Sequence, residues 1–172
     1  MVENAAMEPH VEDLIDFLVA AGADIEGKGT NRLLIRHSPR LTAVRHSIVP
    51  DHIEVGTFAI CAAVAKSTIA IYPAIEKHLI MTMRVLASMG VAYEFVNDRL
   101  IIRPSKLMSS RSKVQAGPWP AFPTDLMSPL IVLATQAKGE TLFHDPMYES
   151  RMFFVDKLIR MGAQITICDP HR

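Results

Sequence analysis

Apolar and polar residues follow one pattern three times along the chain. Each copy has apolar residues at helical i, i+3 and i+4 spacing, then a glycine, then a short stretch in which apolar and polar residues alternate. The copies span residues 11–25, 78–93 and 152–165, and their glycines are Gly22, Gly90 and Gly162. Glycine at this place can adopt the left-handed conformation that ends a helix. The pattern therefore predicts three helices, each followed directly by a strand.

A second type of helix precedes the last two copies. Pro50 and Asp51 open one stretch of small apolar residues, and Pro123 opens another. Each stretch leads to an alternating strand, over residues 67–71 and 139–143, and then through a proline into a glycine-ended helix. This order predicts an α/β fold made of βαβαββ units.

The repeats are incomplete at both ends of the chain. The pattern starts in the second half of one unit and stops before the last strand of another. The hairpin of the middle unit is predicted between residues 91–96 and 100–103, with Asp98 and Arg99 at its turn. Unpaired helix faces are then expected, to be covered by another segment or by self-association.

The composition predicts a soluble protein of the cytoplasm. Of the 172 residues 49% are hydrophobic, and the formal net charge is zero. No apolar run reaches the about 20 residues of a membrane span, and the N-terminus lacks the features of a signal peptide. The neutral charge and the lack of paired aromatics in strands such as residues 100–103 argue against nucleic acid. We therefore expect binding to neither membrane nor nucleic acid.

The cysteines and histidines do not have the spacing of a metal or redox site. The chain has two cysteines and seven histidines, none of them in a CxxC or HExxH pattern, and no glycine-rich nucleotide loop. Cys61 lies in the apolar run of residues 57–64 and is predicted to be buried. We predict no metal, no dinucleotide and no other cofactor.

Four stretches stand out as motifs. They are Glu3-Asn-Ala-Ala-Met-Glu-Pro, Pro50-Asp-His-Ile-Glu-Val-Gly-Thr-Phe, Gly117-Pro-Trp-Pro-Ala-Phe-Pro-Thr-Asp125-Leu and Tyr148-Glu-Ser-Arg151-Met-Phe. In sequence, order and separation they resemble the UDP-N-acetylglucosamine 1-carboxyvinyltransferase family of enolpyruvyl transferases. The resemblance covers essentially the whole chain and implies six repeats that make two domains, each an inside-out α/β barrel, with the active site in the cleft between them. Residues 1–49 are then the tail of the first domain, and residues 50–172 an incomplete second domain.

The resemblance also implies an activity. The family transfers the enolpyruvyl group of phosphoenolpyruvate to the 3-hydroxyl of UDP-N-acetylglucosamine, the first committed step of peptidoglycan synthesis. This chemistry needs a base for the hydroxyl and cations for the carboxylate and phosphate. The family's lysine–asparagine pair, its cysteine loop and its last repeat have no counterpart in the chain. We therefore expect the chain to be inactive alone.

Three site residues follow from the resemblance. Asp125 matches an aspartate that deprotonates the sugar hydroxyl, although its position before an apolar helix also fits an N-cap or a first-turn carboxylate. Arg151 matches an arginine on the phosphoenolpyruvate side, and the alternative is a surface arginine paired with Glu149 or Asp156. Met147 matches an aliphatic residue that touches the nucleotide substrate, and the alternative is a core residue.

Glu3 and Asp51 are two further cleft residues by the same resemblance. Because Asp51 opens a predicted helix, we interpret it first as a helix cap. The chain departs from the family at Met7, Met127 and Ser150, where a basic residue, glutamine and asparagine are common. These departures bear on the substrate more than on the fold.

Two other functions remain open. The shikimate-pathway enolpyruvyl transferases share the repeat, but the Phe-Pro-Thr-Asp and Glu-x-Arg motifs that end at Asp125 and Arg151 favour a nucleotide sugar. A shortened, non-catalytic relative that binds nucleotide sugar or associates with itself is the second alternative.

Overall fold

The computed structural model describes residues 1–38, 40–110 and 113–172. The chain divides into two compact units, Met1–Asp51 and His52–Arg172. That these units are parts of the first and second domains of a longer enzyme stays a prediction.

The first unit consists of one helix and a three-stranded antiparallel sheet. Its elements are β1 (Val2–Glu3), α1 (Pro9–Ala20), β2 (Asp24–Glu26) and β3 (Arg32–Arg36). The last strand, β3, lies between the other two, with Ile35 opposite Ile25. Pro9 suits the first turn of α1 because its fixed φ is already helical and its missing N–H has no helical partner there. Gly22, at φ +105°, follows the helix end as predicted.

The second unit repeats this arrangement and extends it. Its elements are α2 (His52–Val64), β4 (Ile69–Ile71), α3 (Glu76–Ser88), β5 (Ala92–Val96), β6 (Arg99–Arg103), β7 (Val114–Gln115), a 3₁₀ turn (Thr124–Leu126), α4 (Met127–Thr135), β8 (Phe143–His144), a second 3₁₀ turn (Arg151–Phe154) and α5 (Val155–Arg160). In the antiparallel sheet of β4, β5 and β6 the last strand is again central, whereas β7 and β8 pair in parallel. The predicted α/β repeat is therefore confirmed.

The core of the second unit lies between α2, α3, α4 and the sheet of β4 to β6. Its fully buried side chains include Leu79, Leu86, Leu100, Leu130 and Leu133. Each such leucine contributes about 1.5–3 kcal/mol through the apolar surface it removes from water. Gly56 lets α2 approach the first 3₁₀ turn, because a Cβ there would lie 2.5 Å from Cδ1 of Leu126. Close packing against α2 thus fixes the turn that carries residue 125.

The hairpin between β5 and β6 turns at Asn97 and Asp98, so the prediction of Asp98 and Arg99 was wrong by one residue. Val96 lies opposite Arg99, which leaves two residues for the turn. Asn97 has φ +56°. Asparagine enters this left-handed region more readily than most side chains, which explains the position of the turn.

The strand predicted after Gly162 does not form. Residues 163–167 have no strand pairing, whereas the matching stretch after Gly90 forms β5 and pairs with β6. An alternating sequence becomes a strand only when a neighbouring strand accepts hydrogen bonds from its N–H groups and donates hydrogen bonds to its C=O groups. Among the described residues no such neighbour lies beside residues 163–167.

Cys61 is exposed, so the prediction of a buried thiol was wrong. Its neighbours Ile60 and Ala62 are both buried on α2. The run around it is apolar on every side, so the sequence did not indicate which face of the helix meets the core. Each residue turns a helix by about 100°, and Cys61 falls on the outer face.

Some apolar side chains of α1 remain exposed within the structure. Leu14 is 55% exposed and Val19 is 45% exposed. That another segment or a second copy of the chain covers these side chains stays a prediction.

The sequence predicts no binding to membrane, metal or nucleic acid. No helix in residues 1–38, 40–110 or 113–172 is long and apolar enough to cross a membrane. The same residues contain no cluster of three His, Cys, Asp or Glu side chains that could hold a metal ion. On β5, Tyr93 and Phe95 pack edge to face with ring centres 6.1 Å apart, an aromatic pair that the argument against nucleic acid did not weigh. All three absences stay predictions.

Alanine at Gly90 is expected to lower the free energy of unfolding by about 3 kcal/mol. Gly90 has φ +83°, and a Cβ there would lie 2.6 Å from the carbonyl oxygen of Lys106. The matched control is Gly162→Ala, because Gly162 has φ +99° but nothing within 4 Å of its Cβ. This control should lose only about 1 kcal/mol, the cost of the left-handed backbone. Chemical denaturation measures both, and equal losses would contradict the steric argument.

Candidate functional site

Asp125 and Arg151 form an ion pair between the two 3₁₀ turns of the second unit. Nη2 of Arg151 donates a hydrogen bond of 2.7 Å to Oδ1 of Asp125. The side chain of Asp125 is 60% exposed and that of Arg151 is 27% exposed. The fold thus places an accessible carboxylate beside a partly buried arginine, although 26 residues separate them in the sequence.

Asp125 makes no capping hydrogen bond. It lies in the first turn of the 3₁₀ segment Thr124–Leu126, whose N-cap is Pro123. The following helix, α4, has Leu126 at its N-cap, and neither cap forms a side-chain hydrogen bond. A carboxylate in a first turn still benefits from the partial positive charge of the free N–H groups. The hydrogen-bonding partner of Asp125 is nevertheless Arg151, not the helix backbone.

Arg151 follows a left-handed residue and pairs with neither of the partners considered from the sequence. Ser150, directly before it, has φ +62°. Asparagine adopts that conformation more readily than serine. The guanidinium carbon of Arg151 lies 5.1 Å from the centre of the Tyr148 ring, a cation–π distance. In the structure Asp125 takes the place of Glu149 or Asp156 as its ionic partner.

A buried carboxylate joins the turn of Asp125 to Met147. Asp145 has no exposed surface. Its Oδ2 accepts a hydrogen bond from the hydroxyl of Thr124, and its Oδ1 accepts one of 3.0 Å from the backbone N–H of Met147. Met147 itself is 40% exposed, so the alternative of a core residue was wrong. Asp145 therefore links the backbone of Met147 to the turn that carries Asp125.

Asp145 was missed by the sequence analysis. Its only local signal is an aspartate between a short strand and Pro146, a setting in which an aspartate often accepts a hydrogen bond from a backbone N–H two residues later. That bond to Met147 is present. The bond to Thr124 crosses 21 residues, and no local pattern indicates it.

Glu3 and Asp51 lie in the first unit. Glu3 belongs to β1, and its Oε1 lies 3.5 Å from Nη2 of Arg32. Both side chains are about two thirds exposed, so this pair contributes at most about 1 kcal/mol. Asp51 directly precedes α2 and ends the first unit. Their assignment to a substrate cleft stays a prediction.

Met127 is fully buried as the first residue of α4. A residue with no exposed surface acts on its surroundings through packing. We therefore interpret the departure from glutamine as a change in the core beneath the first 3₁₀ turn.

The Asp125–Arg151 pair has the elements of acid–base and anion-binding chemistry. An exposed carboxylate can accept a proton from a hydroxyl group. A guanidinium can hold a carboxylate or phosphate by two parallel hydrogen bonds. Because Asp125 accepts one hydrogen bond from Nη2 of Arg151, an anionic ligand can bind the guanidinium either by displacing Asp125 or through the other N–H groups.

Comparisons with known proteins agree with this fold. The model of the family "EPSP synthase (3-phosphoshikimate 1-carboxyvinyltransferase)" matches residues 1–170. The UDP-N-acetylglucosamine 1-carboxyvinyltransferase of Bradyrhizobium diazoefficiens is 46% identical over 99% of this chain and 41% of its own length. The enzyme of the same name from Borrelia garinii subsp. bavariensis is 41% identical over the whole chain and 42% of its own length.

A solved structure is similar as well. The crystal structure of the enolpyruvyl transferase NikO from Streptomyces tendae superposes with a TM-score of 0.82 at 26% identity, covering 98% of this chain and 40% of that one. The chain thus spans about two fifths of the length of the proteins it matches. Its α/β repeats are a part of the enolpyruvyl transferase fold. On the match over residues 1–170, the chain belongs to the EPSP synthase family of enolpyruvyl transferases.

Proposed function

We propose that the chain supplies part of the active site of an enolpyruvyl transferase that acts on UDP-N-acetylglucosamine. The Asp125–Arg151 pair carries this proposal, since it sets an accessible carboxylate 2.7 Å from a guanidinium. The names of the relatives at 46% and 41% identity support the choice of acceptor. Phosphoenolpyruvate is then the donor, and the reaction belongs to peptidoglycan synthesis in the cytoplasm.

Asp125 is the proposed general base. It accepts the proton of the sugar 3-hydroxyl while the hydroxyl oxygen bonds to the central carbon of phosphoenolpyruvate. In this step the C–O bond forms while the carbon–carbon double bond of phosphoenolpyruvate opens and its methylene carbon takes a proton from a general acid. The phosphate leaves later, when the same carbon loses a proton and the double bond is restored. The packing of Leu126 under α2 keeps the carboxylate at the surface.

Arg151 is the proposed anion-binding group. Its guanidinium binds the carboxylate or the phosphate of phosphoenolpyruvate through two parallel N–H donors. On binding, the donor substrate displaces Asp125 from the guanidinium and frees the carboxylate to accept a proton. Met147 is proposed to contact the nucleotide sugar from the adjoining surface, where it is 40% exposed.

The proposal also requires the parts of the relatives that this chain does not match. The chain spans 41% of the Bradyrhizobium enzyme. We assign its two units to parts of the first and second domains, and we expect transfer only when the rest of such an enzyme is present.

Transfer to 3-phosphoshikimate is the second candidate function, because the description of the matching family model names it. The named relatives favour the nucleotide sugar. The two acceptors differ enough in size and charge for direct binding to separate them.

Isothermal titration of the purified chain with UDP-N-acetylglucosamine tests the proposal. We expect weak binding that Asp125→Ala weakens by at least about tenfold, the effect of losing one hydrogen bond to a charged group. The matched control is Asp156→Ala, an exposed aspartate in the first turn of α5, which should bind as the wild type does. Equal binding by Asp125→Ala and wild type, or binding of shikimate 3-phosphate alone, contradicts the proposal.

A further inference from the structure

We infer that Asp145 is a positioning residue for the Asp125–Arg151 site. This inference rests on the proposed function and adds a residue to it that does not touch substrate. Asp145 is fully buried, so its carboxylate can act only through the groups it holds. Those groups are the hydroxyl of Thr124 and the backbone N–H of Met147.

The two hydrogen bonds of Asp145 connect the two segments that form the site. Thr124 directly precedes Asp125, and Met147 lies four positions before Arg151. Each carboxylate oxygen binds one of these segments. One side chain thereby fixes the separation of the segments whose charged groups meet at 2.7 Å.

The backbone of Asp145 is held separately. Its N–H donates to the carbonyl oxygen of His171 at 2.9 Å, and Nδ1 of His171 lies 3.0 Å from its carbonyl oxygen. The main chain is therefore anchored without the carboxylate. Burying a polar side chain is costly unless it is hydrogen-bonded, and both side-chain hydrogen bonds that offset this cost go to the site.

Substitutions can separate hydrogen bonding from charge. In Asp145→Asn the amide oxygen can still accept from the Met147 N–H, and the amide nitrogen can donate to the hydroxyl oxygen of Thr124. Both links survive although the charge is removed. Asp145→Ala removes both links, and Thr124→Val removes only one.

Titration with UDP-N-acetylglucosamine and hydrogen exchange, both on the full chain, test the inference. Asp145→Ala should weaken binding by at least about tenfold and speed exchange of the Met147 amide by a similar factor. Asp145→Asn should stay within about threefold of wild type in both measurements. Thr124→Val should weaken binding but leave the Met147 amide protected. Amides in α3 report whether each variant is folded.

The outcomes distinguish the positioning role from a structural one. If Asp145→Asn loses binding, or if Thr124→Val binds as wild type does, the inference is overturned. Should Asp145→Ala fail to fold, the Asn and Val variants still decide the question.

If wild type itself does not bind the nucleotide sugar, the proposed function fails. The positioning role is then decided by exchange of the Met147 amide and the Arg151 side-chain N–H groups. Fast exchange of both in Asp145→Ala but not in Asp145→Asn supports it, and unchanged exchange in both variants overturns it.

Discussion

Asparagine in place of Asp125 is expected to lower the turnover number of enolpyruvyl transfer by about 10²–10⁴-fold, the usual contribution of a general base. Asparagine keeps the size of the side chain but cannot accept the proton of the sugar hydroxyl. The assay uses a hybrid of the Bradyrhizobium relative in which residues 1–172 replace the matching 41% of that enzyme. Release of phosphate from phosphoenolpyruvate and UDP-N-acetylglucosamine measures turnover.

Loss of stability should not explain this result. The side chain of Asp125 is 60% exposed, and such an ion pair contributes about 0–1 kcal/mol. Asp156→Asn in the same hybrid is the matched control and should turn over at the wild-type rate. Wild-type turnover by Asp125→Asn would exclude Asp125 as the base.

Lysine in place of Arg151 is expected to lower kcat/KM for phosphoenolpyruvate by about 100-fold. Lysine retains the positive charge but cannot form two parallel hydrogen bonds to a carboxylate or phosphate. It also changes the cation–π contact with Tyr148, whose ring centre now lies 5.1 Å from the guanidinium carbon. Steady-state kinetics of the hybrid, with each substrate varied in turn, measures the change.

The control for Arg151→Lys is Arg160→Lys in the last turn of α5, because Arg160 is exposed and forms no ion pair with any residue that the structure describes. The KM for UDP-N-acetylglucosamine should change by less than about threefold in Arg151→Lys. The substitution removes hydrogen bonds to phosphoenolpyruvate and leaves the contacts with the nucleotide sugar unchanged. A defect confined to UDP-N-acetylglucosamine would place Arg151 on the acceptor side instead.

The repeat was predictable from the sequence because its signals are local. An amphipathic helix that ends at Gly22 or Gly90 is encoded within a few residues, and both glycines have the expected positive φ. The strand after Gly162 was not predictable, since a strand depends on a partner elsewhere in the fold. Cys61 was mispredicted because a run that is apolar all round carries no information about which face is buried.

The site was predictable only in part. The resemblance named Asp125 and Arg151, but their ion pair crosses 26 residues and has no local signal. The local partners considered for Arg151 were Glu149 and Asp156. They lie two and five positions away, whereas side chains on one face of a helix meet at a spacing of three or four. Asp145 escaped notice for the same reason, since its role depends on a contact with Thr124 that only the folded chain creates.

The most direct test of the central claim is the acceptor specificity of the hybrid enzyme. Phosphate release is measured with phosphoenolpyruvate and either UDP-N-acetylglucosamine or shikimate 3-phosphate, with the unmodified Bradyrhizobium enzyme as the control. We predict turnover with the nucleotide sugar and none with shikimate 3-phosphate. A folded hybrid that releases no phosphate with UDP-N-acetylglucosamine, or that turns over shikimate 3-phosphate, contradicts the claim.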